Sequence, residues 1–253
     1  MVNGSGPAIV ATNLRKVYGS KAAVDDLNLI VPRGCFFGFL GPNGAGKSTT
    51  IRMLTGLIPQ TAGQIEILGM PMPERAIDIK RRIGLVPDES LLFDRLTGAE
   101  YLEFVGRMYG LARNLARERA RSLLRLFQLE ESARKLIAEY SKGMRKRVAM
   151  AAALIHRPDL FLMDEPFEGV DAVGARLMKD ILLDLVRQGA TIFLTSHVLD
   201  VVERLCDRVA IIHEGKIVRE GSMEELRMGA ETLEDVFVRV VGATREFERL
   251  EWL

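Results

Sequence analysis

Residues 37–54 read FGFLGPNGAGKSTTIRML, and the order of residue types in this stretch decides the fold. An apolar run stops at Leu40, and a glycine-rich turn, a cation and hydroxyl residues separate it from a second apolar pattern near Ile51. The turn follows the pattern G-x-x-x-x-G-K-[ST], whose fixed places are taken by Gly41, Gly46, Lys47 and Ser48. Glycines let successive backbone N–H groups curl into one concavity, and a helix N-terminus adds partial positive charge. The stretch therefore predicts a phosphate-binding loop.

The motif requires a strand before it and a helix after it, and both are predicted here. Residues 35–40 (CFFGFL) are a short, aromatic-rich apolar segment, which is typical of a buried strand. Residues 47–56 carry apolar side chains at helical spacing and end at Gly56. We expect Lys47 to reach the β- and γ-phosphates of a nucleoside triphosphate and Ser48 to offer its hydroxyl to Mg²⁺. The alternative, a glycine-rich turn that binds nothing, is disfavoured by the two flanking elements.

Two adjacent carboxylates follow a second apolar segment, LFLM at 160–163. An aspartate at the carboxyl end of a buried strand can hold Mg²⁺ through water, which is the role expected of Asp164. Glu165 is then placed to polarise an attacking water, the base role that phosphoryl transfer to water needs. The alternative is a solvated strand end, and adjacent carboxylates after four apolar residues disfavour it.

A basic segment, YSKGMRKR, occupies residues 140–147. Ser141 can cap a helix that continues through residues 148–155, and four cations then crowd its first two turns. Cations at this end oppose the helix macrodipole, and an incoming anion would relieve that cost. Taken alone, these residues favour the alternative of a solvated basic face.

Composition limits the classes of function. The 253 residues suffice for one large α/β domain or a domain with a subdomain. The formal net charge of +1 gives no long-range field for nucleic acid, so no nucleic-acid partner is expected. The longest apolar run, 148–155, is too short to span a bilayer, and residues 1–8 form a polar lead without a secretory signal. The two cysteines form no motif, which favours a reduced, cytosolic compartment, and Cys35 is expected to be buried and inert.

Strands and helices alternate along most of the chain. Two strands are predicted around a turn at Gly19–Ser20, and further strands at 63–69, 81–87, 159–166, 190–196 and, as a hairpin, 208–221. Leu, Ala, Arg and Glu recur at 3.6-residue spacing between 97 and 157, which predicts an all-helical insertion. Other helices are predicted at 171–187, at 198–206, after a Ser222–Glu225 capping box, and at 231–241. The predicted fold class is α/β, with a mostly parallel sheet, an N-terminal antiparallel β subdomain and an inserted α-helical subdomain.

These motifs together resemble those of the ATP-binding cassette (ABC) ATPases. Residues 41–49 (GPNGAGKST) match the Walker A motif, and residues 160–166 (LFLMDEP) match Walker B with its catalytic glutamate. Residues 140–144 (YSKGM) stand where the family's LSGGQ signature belongs, and 169–171 (GVD) match its D-loop. The motifs occur in the family's order, which makes the resemblance highly specific.

Two aromatic positions extend the resemblance, which covers about residues 8–222. His197, after the strand TIFLTS, matches the switch histidine, and Tyr18 stands where the family's adenine-stacking aromatic does. The resemblance implies catalytic roles for Lys47, Glu165 and His197. It implies nucleotide contacts for Tyr18, Gly41, Pro42, Asn43, Gly44, Ala45, Gly46, Lys47, Ser48, Thr49, Ser141, Lys142, Gly143 and Asp171. It implies Mg²⁺ contacts for Ser48, Asp88 and Asp164.

The family also implies an assembly. A P-loop NTPase core would bind ATP and Mg²⁺ between Walker A of one cassette and the signature of a second, identical or homologous cassette, arranged head to tail. Transmembrane permease subunits on separate chains would place the dimer at the cytoplasmic face of the cell membrane as a peripheral protein. The predicted divisions are a cassette at 1–222, with its helical subdomain inserted at about 89–158, and a C-terminal helical extension at 223–253.

The signature departs from the family pattern in two places. Its third and fifth residues, usually Gly and Gln, are Lys142 and Met144, whereas the γ-phosphate contacts Ser141 and Gly143 are kept. This form, like residues 231–242, resembles cassettes of bacterial and archaeal exporters.

The third departure is Asp88, which stands where the family has the Q-loop glutamine. A carboxylate can ligate Mg²⁺ but, being acceptor-only, cannot donate a hydrogen bond as glutamine does. We predict that Asp88 lies within reach of Mg²⁺ when ATP is bound. The alternative is that it caps the turn after Pro87 and faces solvent.

Three functions are compatible with these motifs. The first is the ATPase subunit of a membrane exporter, and the second is a non-transport cassette that acts on ribosomes or nucleic acid. Relatives of the second kind usually carry tandem cassettes, long coiled coils or basic arms, and this sequence has none of these. An inactive regulatory cassette is a third, weaker possibility, against which the intact Lys47, Asp164, Glu165 and His197 argue.

Overall fold

The structure is a computed structural model that describes residues 6–88, 92–227 and 232–242. Its strands are β1 (Ile9–Tyr18), β2 (Lys21–Val31), β3 (Phe36–Leu40), β4 (Ala62–Ile67), β5 (Met70–Met72), β6 (Ile83–Val86), β7 (Leu160–Asp164), β8 (Thr191–Ser196), β9 (Arg208–His213) and β10 (Lys216–Ser222). Its α-helices are α1 (Lys47–Leu54), α2 (Ala76–Lys80), α3 (Gly98–Met108), α4 (Arg113–Leu126), α5 (Lys142–Leu154), α6 (Ala172–Arg187), α7 (Leu199–Leu205), α8 (Met223–Leu226) and α9 (Leu233–Val241).

The strands form two sheets of different kinds. The smaller sheet has the order β2-β1-β4-β5 and its strands are antiparallel. The larger sheet has the order β10-β9-β3-β8-β7-β6, and only its β10–β9 pair is antiparallel. The predicted α/β fold, with a mostly parallel sheet and an N-terminal antiparallel part, is confirmed.

The strand before the phosphate loop lies in the middle of the larger sheet and is buried on both faces. Phe36 and Leu40 belong to one hydrophobic cluster, whereas Phe37 and Phe39 belong to the other, as the two-residue period of a strand requires. Each buried phenylalanine contributes roughly 1.5–3 kcal/mol of hydrophobic free energy. A Cβ at Gly38 would lie 2.7 Å from Val202 Cγ1, so this glycine lets α7 pack directly against β3.

The helical insertion lies between β6 and β7 and consists of α3, α4, α5 and two short 3₁₀ turns. Thr97 and Glu100 form a reciprocal capping box at the start of α3, and the buried Leu102 and Leu124 pack α3 and α4 into the main core. In the described part of the chain, no helix is both long and apolar enough to cross a membrane.

The C-terminal elements also agree with the sequence. Ser222 and Glu225 form the predicted capping box, and α9 starts after a second box formed by Thr232 and Asp235. Leu233 and Val236 of α9 belong to the same hydrophobic cluster as α7. The sequence analysis missed β5 and α2, which are only three and five residues long. Residues 243–253 of the predicted C-terminal extension lie outside the described residues.

Candidate functional site

The parallel strands bring the predicted site residues to one edge of the larger sheet. β3, β8, β7 and β6 run in the same direction, and their registers pair Leu40 with Ser196 and Asp164 with Thr195. Their carboxyl ends therefore meet at one edge, and the loops that follow carry the phosphate loop, Glu165 and His197.

The phosphate loop needs its glycines for steric reasons. Gly46 has φ +111°, and a Cβ there would lie 2.5 Å from the carbonyl oxygen of Ala23. A Cβ at Gly41 would lie 2.4 Å from the carbonyl oxygen of Ile212. Helix α1 starts directly after Gly46 without a side-chain cap, so the first N–H groups of the helix keep their hydrogen-bonding capacity for a ligand. The loop fits a phosphate group.

Lys47 is the cation of this loop and its side chain is only 7% exposed. Its ammonium donates to the carbonyl oxygens of Gly41, at 2.6 Å, and Pro42, at 3.3 Å. The same nitrogen lies 3.7 Å from Oε1 of Glu165. The loop therefore holds a buried positive charge between its own backbone and the catalytic carboxylate candidate.

Glu165 occupies a strained backbone position directly after β7. Its φ is +45°, in the left-handed region that non-glycine residues rarely adopt. Its backbone N–H donates to Oγ1 of Thr195 at 3.2 Å, and its carboxylate lies 2.9 Å from Nδ1 of His197. The predicted base and the predicted switch histidine are thus in direct contact.

Asp164 and two further oxygen donors line the same cavity. Asp164 is buried and accepts a 2.5 Å hydrogen bond from Thr195 Oγ1, which leaves its other oxygen for a cation or water. Ser48 and Asp88 contribute a hydroxyl and a carboxylate to the cavity lining. Within the described ranges, no three acidic, histidine or cysteine side chains cluster closely enough to hold a metal alone. This donor set fits Mg²⁺, which proteins commonly bind through one or two carboxylates together with substrate phosphates.

The cavity that joins these groups has a volume of about 600 Å³. It is lined by Ala23, Pro42, Asn43, Gly44, Gly46, Lys47, Ser48, Thr49, Asp88, Asp164, Glu165, Glu168 and His197. Gly41 lies behind the lining, where a Cβ would meet Ile212 and Ala45, and Ala45 is buried in the same hydrophobic cluster as Ile212. Tyr18 lies apart from this lining at the end of β1, 50% exposed, with Lys16 Nζ 5.2 Å from its ring centroid.

The predicted signature residues lie apart from the lining of this cavity. Ser141 caps α5 by accepting from the Met144 N–H at 3.2 Å, as predicted. A Cβ at Gly143 would lie 3.3 Å from the Gly169 carbonyl oxygen and 3.9 Å from Oδ2 of Asp171. The signature and D-loop segments are therefore neighbours, on a surface next to the cavity.

The cations at the start of α5 find partners within the chain. Lys142 pairs with Glu168 at 2.8 Å, which lowers the pKa of Glu168 and raises the pKa of Lys142. Arg145 pairs with Asp94 at 2.6 Å. These ion pairs offset the unfavourable interaction between the cations and the macrodipole of α5. The sequence analysis had assigned that role to an incoming anion.

Lys146 differs from a solvated basic residue because its side chain is only 3% exposed. Its ammonium donates to the carbonyl oxygens of Asp88 at 2.5 Å, Glu165 at 3.2 Å and Pro87 at 3.3 Å. Burial lowers the pKa of Lys146, and the Asp88 carboxylate, 3.6 Å away, opposes that shift. For this residue, the expectation of a solvated basic face is wrong.

Sequence reasoning did not identify Thr195, Glu168 or Lys146 as parts of the site. Thr195 orients both acidic residues after β7, and the only signal for it was a polar pair, Thr195–Ser196, at the end of an apolar strand. Cys35 is buried as predicted, and its pKa is raised to about 11, chiefly by burial.

The comparison with protein families agrees with this geometry. The model of the family described as ABC transporter matches residues 24–168, which is more than half of the chain. The chain belongs to the ABC transporter family. It is accordingly an ATP-binding and ATP-hydrolysing cassette, which argues against the alternative of an inactive regulatory cassette.

Curated relatives support the assignment. The chain is 40% identical over 225 residues to the linearmycin resistance ATP-binding protein LnrL of Bacillus subtilis (strain 168), covering 88% of the chain and 72% of that protein. It is 40% identical over 220 residues to the bacitracin transport ATP-binding protein BcrA of Bacillus licheniformis, covering 87% and 71%. It is 42% identical over 214 residues to the Nod factor export ATP-binding protein I of Cupriavidus metallidurans, covering 85% and 71%.

Solved structures of other proteins support the same family assignment. The cassette resembles the ATP-binding subunit of an ABC transporter with a TM-score of 0.86 and 30% identity, covering 92% of this chain and 99% of that one. It also resembles a dimeric ATP-binding cassette, MJ0796, in a post-hydrolysis state bound to ADP and Pi, with a TM-score of 0.80 and 26% identity, covering 85% and 99%. The predicted ABC cassette fold is therefore confirmed.

Proposed function

We propose that this cassette is the ATP-hydrolysing subunit of an exporter. The observation that carries the proposal is one cavity that joins a buried lysine, a phosphate-shaped loop and the Glu165–His197 pair. The relatives named for resistance, bacitracin transport and Nod factor export favour the export direction.

The residues of the cavity divide the chemistry among them. Lys47 contacts the β- and γ-phosphates, and the loop residues Gly41–Thr49 hold the remaining phosphate oxygens. Glu165 accepts a proton from the water whose oxygen attacks the γ-phosphorus, and the bond to the ADP oxygen breaks. His197 donates to the γ-phosphate and orients that water, a role that becomes stronger in the transition state.

The same cavity provides the ligands for a divalent cation. Mg²⁺, when bound, would neutralise phosphate charge at this site. Ser48 would hold it through its hydroxyl, Asp164 through a water, and Asp88 directly or through one water. Oxygen ligands of this kind suit a hard cation.

A second cassette completes each ATP site. Ser141, Lys142 and Gly143 lie apart from the lining of their own cavity, and in a head-to-tail dimer they contact the γ-phosphate bound by the partner. Asp171 caps α6 by accepting from the Gly174 N–H at 2.8 Å and lies beside that surface. Tyr18 stacks on adenine from the exposed end of β1. The dimeric structure of MJ0796 supports this arrangement, and the second cassette is an identical or homologous chain.

The membrane part of the transporter is supplied by permease subunits on separate chains. The cassette lies at the cytoplasmic face of the membrane as a peripheral protein. Within the chain, the cassette comprises residues 1–222, with the helical subdomain at about 89–158, and the C-terminal extension comprises residues 223–253.

Purification from membranes tests the proposal. A tagged chain extracted in mild detergent is expected to bring down a membrane protein with several predicted spans in stoichiometric amount. The complex is expected to hydrolyse ATP, and the same complex with Glu165→Gln is expected to have lost most of this activity. Stoichiometric recovery of ribosomes or nucleic acid, without a membrane protein, would instead support the non-transport alternative.

A further inference from the structure

The buried Lys146 has a role that its charge alone does not explain. An ammonium group has three N–H donors, and all three are used on backbone carbonyl oxygens. Two of these carbonyls belong to Pro87 and Asp88, which follow β6, and the third belongs to Glu165, which follows β7. One side chain of α5 therefore ties together the carboxyl ends of two neighbouring strands.

Of the three hydrogen bonds, the one to the carbonyl oxygen of Glu165 bears on ATP hydrolysis. Glu165 has φ +45°, a conformation that persists only when its surroundings determine it. On the amino side, its N–H is held by Thr195. On the carboxyl side, its carbonyl oxygen is held by the Lys146 ammonium at 3.2 Å. These two contacts fix the peptide planes on both sides of the residue and so fix the direction in which its carboxylate leaves the backbone.

We propose that Lys146 is a positioning residue for ATP hydrolysis, which holds Glu165 at the attacking water and ties that residue to the loop after β6. Lys146 is absent from the lining of the nucleotide cavity, so it acts through Glu165 and not on the nucleotide bound to its own chain. The proposal rests on the proposed base role of Glu165.

Asp88 provides the charge that this arrangement needs. Its carboxylate lies 3.6 Å from the Lys146 ammonium and is about half exposed. A buried ammonium without a countercharge is costly, so Asp88 stabilises the charged form of Lys146 while its backbone oxygen accepts the shortest of the three hydrogen bonds. A movement of the loop at 87–88 would thus displace Lys146, and through it the Glu165 backbone.

The test compares Lys146→Met with Arg82→Met as a matched control. Arg82 pairs with Asp159 at 2.7 Å and joins the opposite, amino ends of the same two strands, outside the site. A displacement of a reacting group by about 1 Å costs up to about 100-fold in rate. We therefore expect Lys146→Met to lower kcat by about 10- to 100-fold while the Kd for ATP, measured by calorimetry, stays within about threefold, and Arg82→Met to change neither.

A double variant separates this proposal from the base role on which it rests. Because Lys146 acts through Glu165, adding Lys146→Met to Glu165→Gln is expected to cause no further loss of turnover. Full turnover of Glu165→Gln alone would refute the base role, whereas a normal Glu165→Gln result with unchanged kcat in Lys146→Met would refute only the positioning role. Equal losses of kcat and ATP affinity in Lys146→Met would also refute the positioning role, because such losses are expected of a cation that binds the nucleotide directly.

A stability control covers the case in which the methionine variant does not fold. Lys146→Gln keeps an N–H donor but shortens the side chain and removes its charge, and its melting temperature is measured beside its kcat. A lower kcat with unchanged ATP affinity in the folded glutamine variant supports the proposal. Wild-type kcat in that variant, with the melting temperature lowered, would show that Lys146 serves stability alone.

Discussion

Glu165→Gln is the substitution whose effect follows most directly from the geometry. The carboxylate lies 2.9 Å from His197 Nδ1 and 3.7 Å from Lys47 Nζ, with its side chain only 12% exposed. Glutamine keeps the shape but cannot accept the proton of the attacking water. General-base catalysis typically contributes about 100- to 10,000-fold, so kcat is expected to fall by about 100-fold or more.

ATP binding is expected to survive the same substitution. At 3.7 Å, two unit charges attract by about 4 kcal/mol at an effective dielectric constant of about 20, before the cost of desolvation is subtracted. Glutamine removes this attraction and leaves the Lys47 ammonium available to phosphate. It also removes a negative charge from the phosphate cavity. The affinity for ATP is therefore expected to be equal or higher, and an ATP-dependent dimer should accumulate.

Three assays examine this prediction together. Steady-state phosphate release gives kcat, calorimetry gives the Kd for ATP, and gel filtration with Mg-ATP gives the oligomeric state. Glu66→Gln, at an exposed position of β4, serves as the control. Turnover near the wild-type rate, or a monomer in Mg-ATP, would refute the assignment of Glu165 as the base.

Two further substitutions test the other groups of the cavity. His197→Ala removes the partner of Glu165 and a predicted γ-phosphate donor, so kcat is expected to fall by about 100-fold with a small change in melting temperature; a changed melting temperature with unchanged kcat would contradict the catalytic role. Asp88→Gln removes a carboxylate that favours Mg²⁺ and repels phosphate, so half-maximal turnover should require more Mg²⁺, while metal-free nucleotide binding should be equal or tighter. Superimposable Mg²⁺ titrations of wild type and Asp88→Gln would refute the metal contact and leave Asp88 as the countercharge of Lys146.

Much of the fold was predictable because the signals were local. The glycine pattern predicts the loop, the apolar runs predict β3, β7 and β8, and the capping box at Ser222 predicts the start of α8. Parallel strands place their carboxyl ends at one edge, so the meeting of Lys47, Asp164 and His197 also followed from the sequence.

The features that the sequence did not predict are mainly contacts between segments that are distant along the chain. Nothing near Lys146 indicates that its ammonium reaches Asp88 and Glu165, which lie 58 and 19 residues away along the chain. Propensity and helix electrostatics favour a solvated position for such a lysine, and only the tertiary structure supplies the three carbonyl oxygens. Thr195 was missed for the same reason, because its partners belong to the neighbouring strand. The short β5 and α2 carry too few residues for a periodic pattern.

The most direct test of the account is the affinity of Lys47→Ala for ATP, measured by calorimetry beside wild type and Lys80→Ala, an exposed lysine of α2. Charge-assisted hydrogen bonds are worth about 1.5–3 kcal/mol each, so the loss of two such bonds to phosphate predicts an ATP affinity about 100-fold lower or weaker still. Lys80→Ala is expected to bind as wild type does. Wild-type affinity in Lys47→Ala would contradict the claim that the loop at residues 41–49 holds the phosphates of ATP.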